Sequence, residues 1–396
     1  MDVSAIINLI DADKLKELGA LYNIDKNNHK LTGEFILKSF VFCLLKGYPI
    51  SLRSIELLTN TNEQISSMLK TTSKVSRHID HSSIGKRLSQ LEVKYFKDIY
   101  EDLVLSYNTR FSKQEVDKFH RFDSTIITLS GKLLKDGLNL GGKPQDRHIK
   151  ISVSLKANIP ASVRICKEAA EASENIALKR AINQAKVSKE TILLFDRGIA
   201  KGETFNELSE SKQYFITRLN VGRKYVQVRE NRDNNNQTSN EDSVIEASSL
   251  TILSDEIINL YNEHGTRIDC ELRLLKTKNQ KGEELWFLTN VAYLTAQEVC
   301  SSYKRRWDIE VFFKFIKQHL QCKHFISYNN NGMSVYLYCI LIAAILFVIY
   351  KISNDLTGFK LALLRFTLSV EKAMIKDIVS FCGGNPELVD LKLFSP

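Results

Sequence analysis

Residues 118–130 read KFHRFDSTIITLS, and this short run decides how the central part of the chain is interpreted. Its Phe, Ile and Thr residues favour a β-strand. Asp123 interrupts the pattern, because aspartate is unfavourable inside a strand. An isolated aspartate of this kind is more often a strand-end or capping residue. A broken local rule is nevertheless where a functional residue is expected.

The segments that follow predict a defined order of strands and helices. They read HIKISVSLKA, ASVRICKEA, NIALKRAINQAKV, TILLFD, KGETFNELS and YFITRLN, which we interpret as strand, strand, helix, strand, helix and strand. With the strand around Asp123 in front, this order predicts an α/β fold of the RNase H-like type, a mixed sheet with helices on its faces.

A second aspartate lies where such a sheet would form a site. Asp196 ends the strand TILLFD and is followed by Arg197 and Gly198. Sites in open α/β sheets form at strand ends, in crevices between neighbouring strands. The first and fourth strands of the predicted order can be neighbours. We therefore expect Asp123 and Asp196 to lie close together.

Residues 303–317, YKRRWDIEVFFKFIK, add a third acid and several cations. We predict one long helix over 295–321, with Thr295 as its N-cap. At 100° per residue its polar side chains form one stripe about 80° wide. The stripe consists of Tyr303, Arg306, Glu310, Lys314 and Lys317.

The stripe has two interpretations. It is either a solvated face with weak ion pairs between successive turns, or a metal-binding carboxylate flanked by phosphate-binding cations. Asp123 and Asp196 favour the second, with Glu310 as the third acid. Three carboxylates without nearby His or Cys indicate a hard cation such as Mg²⁺. Two such ions would promote phosphoryl transfer, and the cations would bind adjacent phosphates.

The rest of the chain divides into regions that differ in composition and in hydrophobic periodicity. We predict a helical DNA-binding domain over 1–112, the first part of the catalytic core over 113–220, a β-rich insertion over 221–292, the glutamate helix over 293–330 and a helical region over 331–396. Residues 71–95 fit a helix-turn-helix with Lys86 and Arg87 near the start of its second helix. A plain helical bundle with basic surface residues fits equally well.

Composition bounds the remaining possibilities. The 396 residues carry 55 Lys and Arg against 46 Asp and Glu, a balance that suits a polyanionic partner. The seven Cys are scattered without a CxxC pair, so we expect reduced thiols and a cytoplasmic protein. The N-terminus does not resemble a signal peptide. Residues 333–350 carry no charge and are either a membrane span or, as we favour, a buried helix.

Together these motifs resemble a known family. Tyr303, Arg306, Glu310 and Lys317 have the spacing Y-x2-R-x3-E-x6-K, which resembles the signature of DDE-type bacterial insertion-sequence transposases of insertion sequence family four. FDST around Asp123 and FDRG around Asp196 resemble the two aspartate motifs of that family. The resemblance covers about residues 115–325. Ile199 departs from the aromatic residue that often follows Asp-Arg-Gly.

The resemblance implies cut-and-paste DNA transposition through strand cleavage, hairpin formation and strand transfer. It assigns Asp123, Asp196 and Glu310 as ligands of two Mg²⁺ ions, with Mn²⁺ as an alternative ion. It places Tyr303, Arg306, Lys314 and Lys317 on DNA, and Trp307 either stacks on a distorted base or belongs to the core. Trp286 is a further stacking candidate, although a buried strand position suits it better. The implied partners are double-stranded terminal repeats, target DNA and a second copy of the chain, at the bacterial nucleoid.

Three rival functions remain open at this point. The chain could be a catalytically inactive, sequence-specific DNA-binding protein derived from a transposase. It could be another RNase H-like nuclease that hydrolyses DNA without joining it. It could also be anchored in a membrane by residues 333–350. The intact acids Asp123, Asp196 and Glu310 argue against the first of these.

Overall fold

The computed structural model describes residues 6, 8–47, 50–61, 78–111, 118–128, 138, 148–156, 158–166, 168–199, 201–231, 250–322, 326–327 and 329–389. The chain divides into two compact units. The first, the helical unit, comprises Met1–Lys113, Leu129–Asp136 and Lys314–Pro396. The second, the sheet unit, comprises Gln114–Thr128 and Gly137–Phe313.

The described helices are numbered here in chain order. They are α1 (Ala12–Leu21), α2 (Gly33–Lys46), α3 (Leu52–Thr61), α4 (His81–Gln90), α5 (Val93–Phe111), α6 (Glu174–Ala185), α7 (Gly202–Glu210), α8 (Ala296–Lys304), α9 (Trp307–Gln318), α10 (Asn330–Ser353) and α11 (Phe359–Phe381). A short 3₁₀ helix, Ala169–Ala172, precedes α6.

The sheet unit is built on one mixed sheet of nine strands. They are β1 (Phe119–Thr128), β2 (His148–Lys156), β3 (Ile159–Cys166), β4 (Ile192–Phe195), β5 (Phe215–Leu219), β6 (Tyr225–Glu230), β7 (Thr251–Leu260), β8 (Leu272–Lys278) and β9 (Glu284–Thr289). Their spatial order is β3-β2-β1-β4-β5-β9-β8-β7-β6. A large mixed sheet with helices fits the RNase H-like class that the element order predicts.

Both faces of this sheet are covered, and β4 shows why. Its four residues are all buried, and successive side chains point to opposite faces. Leu193 and Phe195 pack in the core that includes residues of α6 and α7. Ile192 and Leu194 pack in the other core, with residues of α8. A continuous apolar run is therefore the expected sequence for this strand.

The neighbour relation of the first and fourth strands is confirmed, since β1 and β4 pair in parallel. The sequence analysis did not predict β6 and β7 as strands. Charged residues obscure the pattern of β7, where Asp255 and Glu256 sit side by side. Across the sheet Asp255 pairs with Arg273 at 2.6 Å, and Glu256 pairs with Lys276 at 2.8 Å. The charges that argue against a strand in isolation are thus balanced by the neighbouring strand.

Residues 81–111 of the helical unit form two helices, α4 and α5. They are separated because Leu91 is extended and buried between them. The cap of α4 is Asp80, whose side chain accepts a hydrogen bond from the Ser82 N–H. The predicted helix-turn-helix loop falls largely on residues outside the described ranges.

The long helix predicted over 295–321 is also two helices, α8 and α9. Thr295 caps α8 as predicted, in a capping box with Glu298. The break lies at Arg305 and Arg306, whose backbone N–H groups bond three residues back, to Ser302 and Tyr303. Such bonds tighten the last turn of a helix. Arg306 therefore lies in a turn rather than on a helical face.

Helix α10 is the centre of the helical unit. It contains residues 333–350, and these are all buried, as predicted. By length and composition it is the one described helix that could cross a membrane, and its most apolar window is fully buried inside the protein. Its Tyr336 ring packs against Phe40 of α2, and Tyr338 packs against Tyr100 of α5.

Helix α11 packs on α10 through Phe366, which gives a test of this core. Phe366 is buried against the rings of Phe347 and Tyr350. Phe366→Ala should lower the free energy of unfolding by about 3–5 kcal/mol, since it removes a large buried ring. Leu364→Ala on the same helix, where the side chain is 57% exposed, should have little effect. Equal losses for both variants in denaturant unfolding would contradict this packing.

Candidate active site

The pairing of β1 with β4 brings two acids together. Phe122 lies opposite Phe195 in the parallel register, so Asp123 and Asp196 are the next residues on neighbouring strands. Strand β4 ends at Phe195, whereas β1 continues to Thr128. Because adjacent strands are about 4.8 Å apart, the two aspartates lie side by side where β4 ends.

The turn between α8 and α9 is fastened to the same strand. Arg121, two residues before Asp123, is buried and donates from Nε to the Arg305 carbonyl at 2.9 Å. The same nitrogen lies 3.2 Å from a carboxylate oxygen of Asp308, in the first turn of α9. Residues 121 and 123 point to the same face of β1. Arg121 therefore fixes the turn on the face where Asp123 lies.

Arg306 lies between two of the three predicted acids. Its Nη1 is 3.6 Å from Oδ2 of Asp123, and its Nη2 donates a hydrogen bond to Oε1 of Glu310. The Arg306 side chain is only 12% exposed. One guanidinium thus bridges an acid on β1 and an acid on α9.

Tyr303 connects the remaining acid to this group. Its hydroxyl lies 3.5 Å from Oδ1 of Asp196, and the Arg306 guanidinium carbon is 5.7 Å from the centre of its ring. Burial raises the pKa of Tyr303 well above its ordinary value, so the phenol stays protonated and can donate to Asp196. Asp123, Asp196 and Glu310 are therefore gathered around one arginine and one tyrosine.

The environment of Asp123 disfavours its charge. Burial raises the pKa of Asp123 from 3.8 to about 6. The Ser124 N–H, which donates to Oδ1 at 2.7 Å, and the Arg306 cation act in the opposite direction. The carboxylates of Glu174 and Asp196 raise the pKa further. An added cation would relieve this accumulation of negative charge.

The donor set suits a hard divalent ion. It consists of carboxylate oxygens, which Mg²⁺ and Mn²⁺ prefer, and the Arg306 cation already contacts two of them. Among the described residues, the one group of potential ligands whose atoms all lie within 4.8 Å of one another is Glu56, Asp80 and His81, in the helical unit. Asp123, Asp196 and Glu310 are thus less tightly gathered than that group, with Arg306 between Asp123 and Glu310.

The other predicted site residues differ in their surroundings. Trp307 is 61% exposed, so it does not belong to the core. Lys314 is exposed and Lys317 half-buried on α9. Trp286 is a buried strand residue, as favoured from the sequence.

The basic pair on α4 was predicted to lie near the start of a helix, but it lies in the middle of one. Lys86 is exposed. Arg87 is buried and donates from Nε to the Leu31 carbonyl at 2.8 Å, and it pairs with Asp25 at 3.1 Å. Its guanidinium therefore holds the helical unit together, and we do not assign it to DNA.

Two arginines near the site were missed by the sequence analysis. Arg121 anchors the turn that carries Arg306, and the positive charge of Arg218 on β5 tends to lower the pKa of Tyr303. Each is a charged residue inside a strand that also contains buried apolar residues. A charged residue within a predicted strand marked Asp123 as a candidate site residue. The same criterion applies to Arg121 and Arg218.

Comparison with known proteins agrees with this geometry. The family model of the transposase DDE domain matches residues 122–346, more than half of the chain. The chain belongs to the DDE transposase family. The match begins one residue before Asp123 and includes Asp196 and Glu310. The resemblance to insertion-sequence transposases is thereby confirmed, and its assignment to insertion sequence family four is consistent with the match.

Similar proteins carry related names. A putative transposase of Sinorhizobium fredii is 29% identical over 44% of this chain and 46% of its own length. The chain therefore spans less than half of that relative. A putative transposase for an insertion sequence element of Synechocystis is 22% identical over 78% of this chain and 83% of its own length. A probable insertion-sequence transposase of Geobacillus stearothermophilus is 20% identical, with 72% and 71% covered.

The raised pKa of Asp123 makes a prediction about stability. Well below pH 3.8 this carboxyl is neutral in both the folded and the unfolded chain, and it has no effect on stability. Well above pH 6 it is charged in both, and the folded state is destabilised by on the order of 3 kcal/mol. Without divalent ions, Asp123→Asn should therefore be more stable than the wild type at pH 8, with about half that gain at pH 5.

The measurement is denaturant unfolding in EDTA at both pH values. Glu263→Gln is the control, because a hydrogen bond from Lys201 keeps the pKa of this exposed carboxyl below its ordinary value. That variant should not gain stability. A gain for Asp123→Asn that does not change with pH would show that burial does not disfavour its charge.

Proposed function

We propose that this protein is a DNA transposase that moves an insertion sequence by a cut-and-paste mechanism. The observation that carries this proposal is the gathering of Asp123, Asp196 and Glu310 around Arg306, in a chain of the DDE transposase family. The activity is phosphoryl transfer on the two ends of the element. The N-terminal region 1–112 would bind those ends, with two copies of the chain holding them together.

In this proposal Asp123, Asp196 and Glu310 hold two Mg²⁺ ions, with Mn²⁺ as an alternative. When bound, such ions activate the attacking hydroxyl and stabilise the leaving oxygen. The protein contributes placement: the β1–β4 register fixes the two aspartates, and the turn held by Arg121 fixes Glu310. Arg306 balances the acids in the absence of other cations. It can turn its guanidinium toward a DNA phosphate once they are otherwise neutralised.

The proposed reaction sequence is the one that the resemblance to insertion-sequence transposases implies. A water molecule attacks the phosphodiester at the end of the element and releases a 3′-hydroxyl. This hydroxyl attacks the opposite strand, which forms a hairpin and frees the element from the flanking DNA. A second water opens the hairpin, and the regenerated 3′-hydroxyl attacks target DNA. Each step exchanges one oxygen for another at phosphorus, so the same acids serve all of them.

The DNA contacts are assigned to residues of α8, α9 and α4. Trp307 is available to stack on a displaced base because most of its side chain is exposed. Lys314 and Lys317 would bind the phosphate backbone as point charges, as would Lys86 in the helical unit. Tyr303 contacts Asp196, which places its hydroxyl next to the proposed metal ligands. We expect the protein to act in the cytoplasm, on nucleoid DNA.

The alternative is a DNA-binding protein that has lost catalysis. It is not favoured, since all three acids are present and share a cation and a phenol. The two functions differ in one measurement, the cleavage of DNA that carries the ends flanking the gene, in the presence of Mg²⁺. Analysis of the products for strand joining also distinguishes a transposase from a nuclease that only hydrolyses.

We predict that Asp123→Ala, Asp196→Ala and Glu310→Ala each reduce cleavage of that DNA to background, because each removes a metal ligand. Binding to the same DNA, measured by gel shift in EDTA, should remain within a few-fold of the wild type. Glu263→Gln, which removes an exposed carboxylate outside the site, should cut normally. Any of the three variants that cuts like the wild type would be removed from the proposed site.

A second prediction concerns the backbone contacts of α9. Lys317→Ala should weaken DNA binding, and the slope of log affinity against log salt should become shallower by about one unit, as expected for the loss of one phosphate contact. Lys212→Ala removes an exposed lysine with no assigned role and makes the same change in net charge. If the slope of Lys317→Ala equals that of the control, Lys317 does not bind a phosphate.

A further inference from the structure

A lysine is buried on β2, the strand that pairs with the Asp123 strand β1. Lys150 lies on β2, whose residues are buried except at the two ends, and its side chain is only 2% exposed. Burying an ammonium group is unfavourable unless it is paired and hydrogen-bonded. A residue that breaks the strand pattern at this place therefore needs a structural or functional reason.

The partner of Lys150 is Glu174, the first residue of α6. The Lys150 Nζ lies 2.7 Å from Oε2 of Glu174 and donates to the Ala172 carbonyl at 3.2 Å. Lys150 thus connects the central sheet to the start of α6 and fixes one oxygen of the Glu174 carboxylate. The Lys150 side chain is already held in one conformation by burial, so it supports Glu174 rigidly.

Glu174 in turn packs against the turn that follows Asp196. A Cβ atom placed on Gly198 would lie 2.5 Å from Cγ of Glu174, a distance that real side chains do not occupy. Only glycine leaves room for the carboxylate stem at this position.

We propose that Lys150 and Glu174 are positioning residues for the proposed metal site. Lys150 holds Glu174 against Gly198, and this contact fixes the turn that carries Asp196 beside Asp123. The inference rests on the proposed function, in which Asp196 is a metal ligand. Residues that orient metal ligands typically change metal affinity roughly 10–100-fold when they are replaced.

The test is Mn²⁺ binding, measured from the loss of the free-ion signal in electron paramagnetic resonance with the full-length protein. The binding that disappears in Asp196→Asn defines the site, so that ions held elsewhere are not counted. Glu174→Ala should weaken this binding roughly 10–100-fold. Lys150→Met/Glu174→Ala, which leaves no unpaired buried charge, should be weakened to a similar extent and serves if the single variant does not fold.

Glu174→Gln separates positioning from direct ligation. Glutamine keeps the packing against Gly198 and still accepts a hydrogen bond from Lys150, so affinity should return to within a few-fold of the wild type. If Glu174→Gln is as weak as Glu174→Ala, Glu174 acts through its charge and the positioning role is overturned. In cleavage assays, the Mn²⁺ concentration for half-maximal rate should rise in Glu174→Ala, with the rate at saturating Mn²⁺ largely retained.

The control is Lys179→Met, which breaks a surface ion pair between Lys179 on α6 and Glu207 on α7, at 2.6 Å. It should bind Mn²⁺ like the wild type. Wild-type affinity in both Glu174→Ala and the double variant would overturn this inference while leaving the proposed function intact. Unchanged binding in Asp196→Asn would instead remove the proposed metal site itself.

Discussion

The parallel pairing of β1 with β4 is the constraint on which the site depends. It sets Phe122 opposite Phe195, and it therefore sets Asp123 beside Asp196. A shift by one residue would turn one of the two acids to the other face of the sheet. The apolar residues of β4 prevent that shift, because Leu193 and Phe195 fill one core while Ile192 and Leu194 fill the other. The packing of ordinary aliphatic residues thus determines the spacing of the charged ones.

Gathering acids in this way is unfavourable by itself, and the structure balances it with buried cations. Arg306 contacts Asp123 and Glu310, Arg121 contacts Asp308, and Lys150 contacts Glu174. Each cation lies on a different element, so each pair also connects two elements of the fold. The same ion pairs therefore both balance the charge of the acids and hold the elements of the site in place. The pKa of Asp123 is still raised to about 6, so the nearby cations offset only part of the cost of burying this carboxylate.

Sequence patterns identified the strands from β1 to β5 and predicted which three acids would lie together, because both signals lie within short segments. Alternating or continuous apolar runs mark the strands, and an aspartate that breaks such a run marks itself. The same reasoning failed where the outcome depends on a distant partner. The sequence of β7 is too polar to be identified as a strand by itself. Its acids are neutralised by Arg273 and Lys276 of the neighbouring strand β8. No Gly or Pro marks the break between α8 and α9 in the sequence. It depends on Arg121, far away in sequence, which binds the Arg305 carbonyl.

That break changes how the Y-x2-R-x3-E spacing should be understood. On one straight helix Tyr303, Arg306 and Glu310 would share a stripe and point the same way. In the structure Tyr303 lies in the last turn of α8, Arg306 lies between the two helices and Glu310 lies in the first turn of α9. The phenol and the guanidinium therefore approach the acids from different elements. The phenol meets Asp196, and the guanidinium meets Asp123 and Glu310. The spacing therefore corresponds to a break between two helices that directs these side chains toward the sheet. Arg121 holds that break in place through its bond to the Arg305 carbonyl.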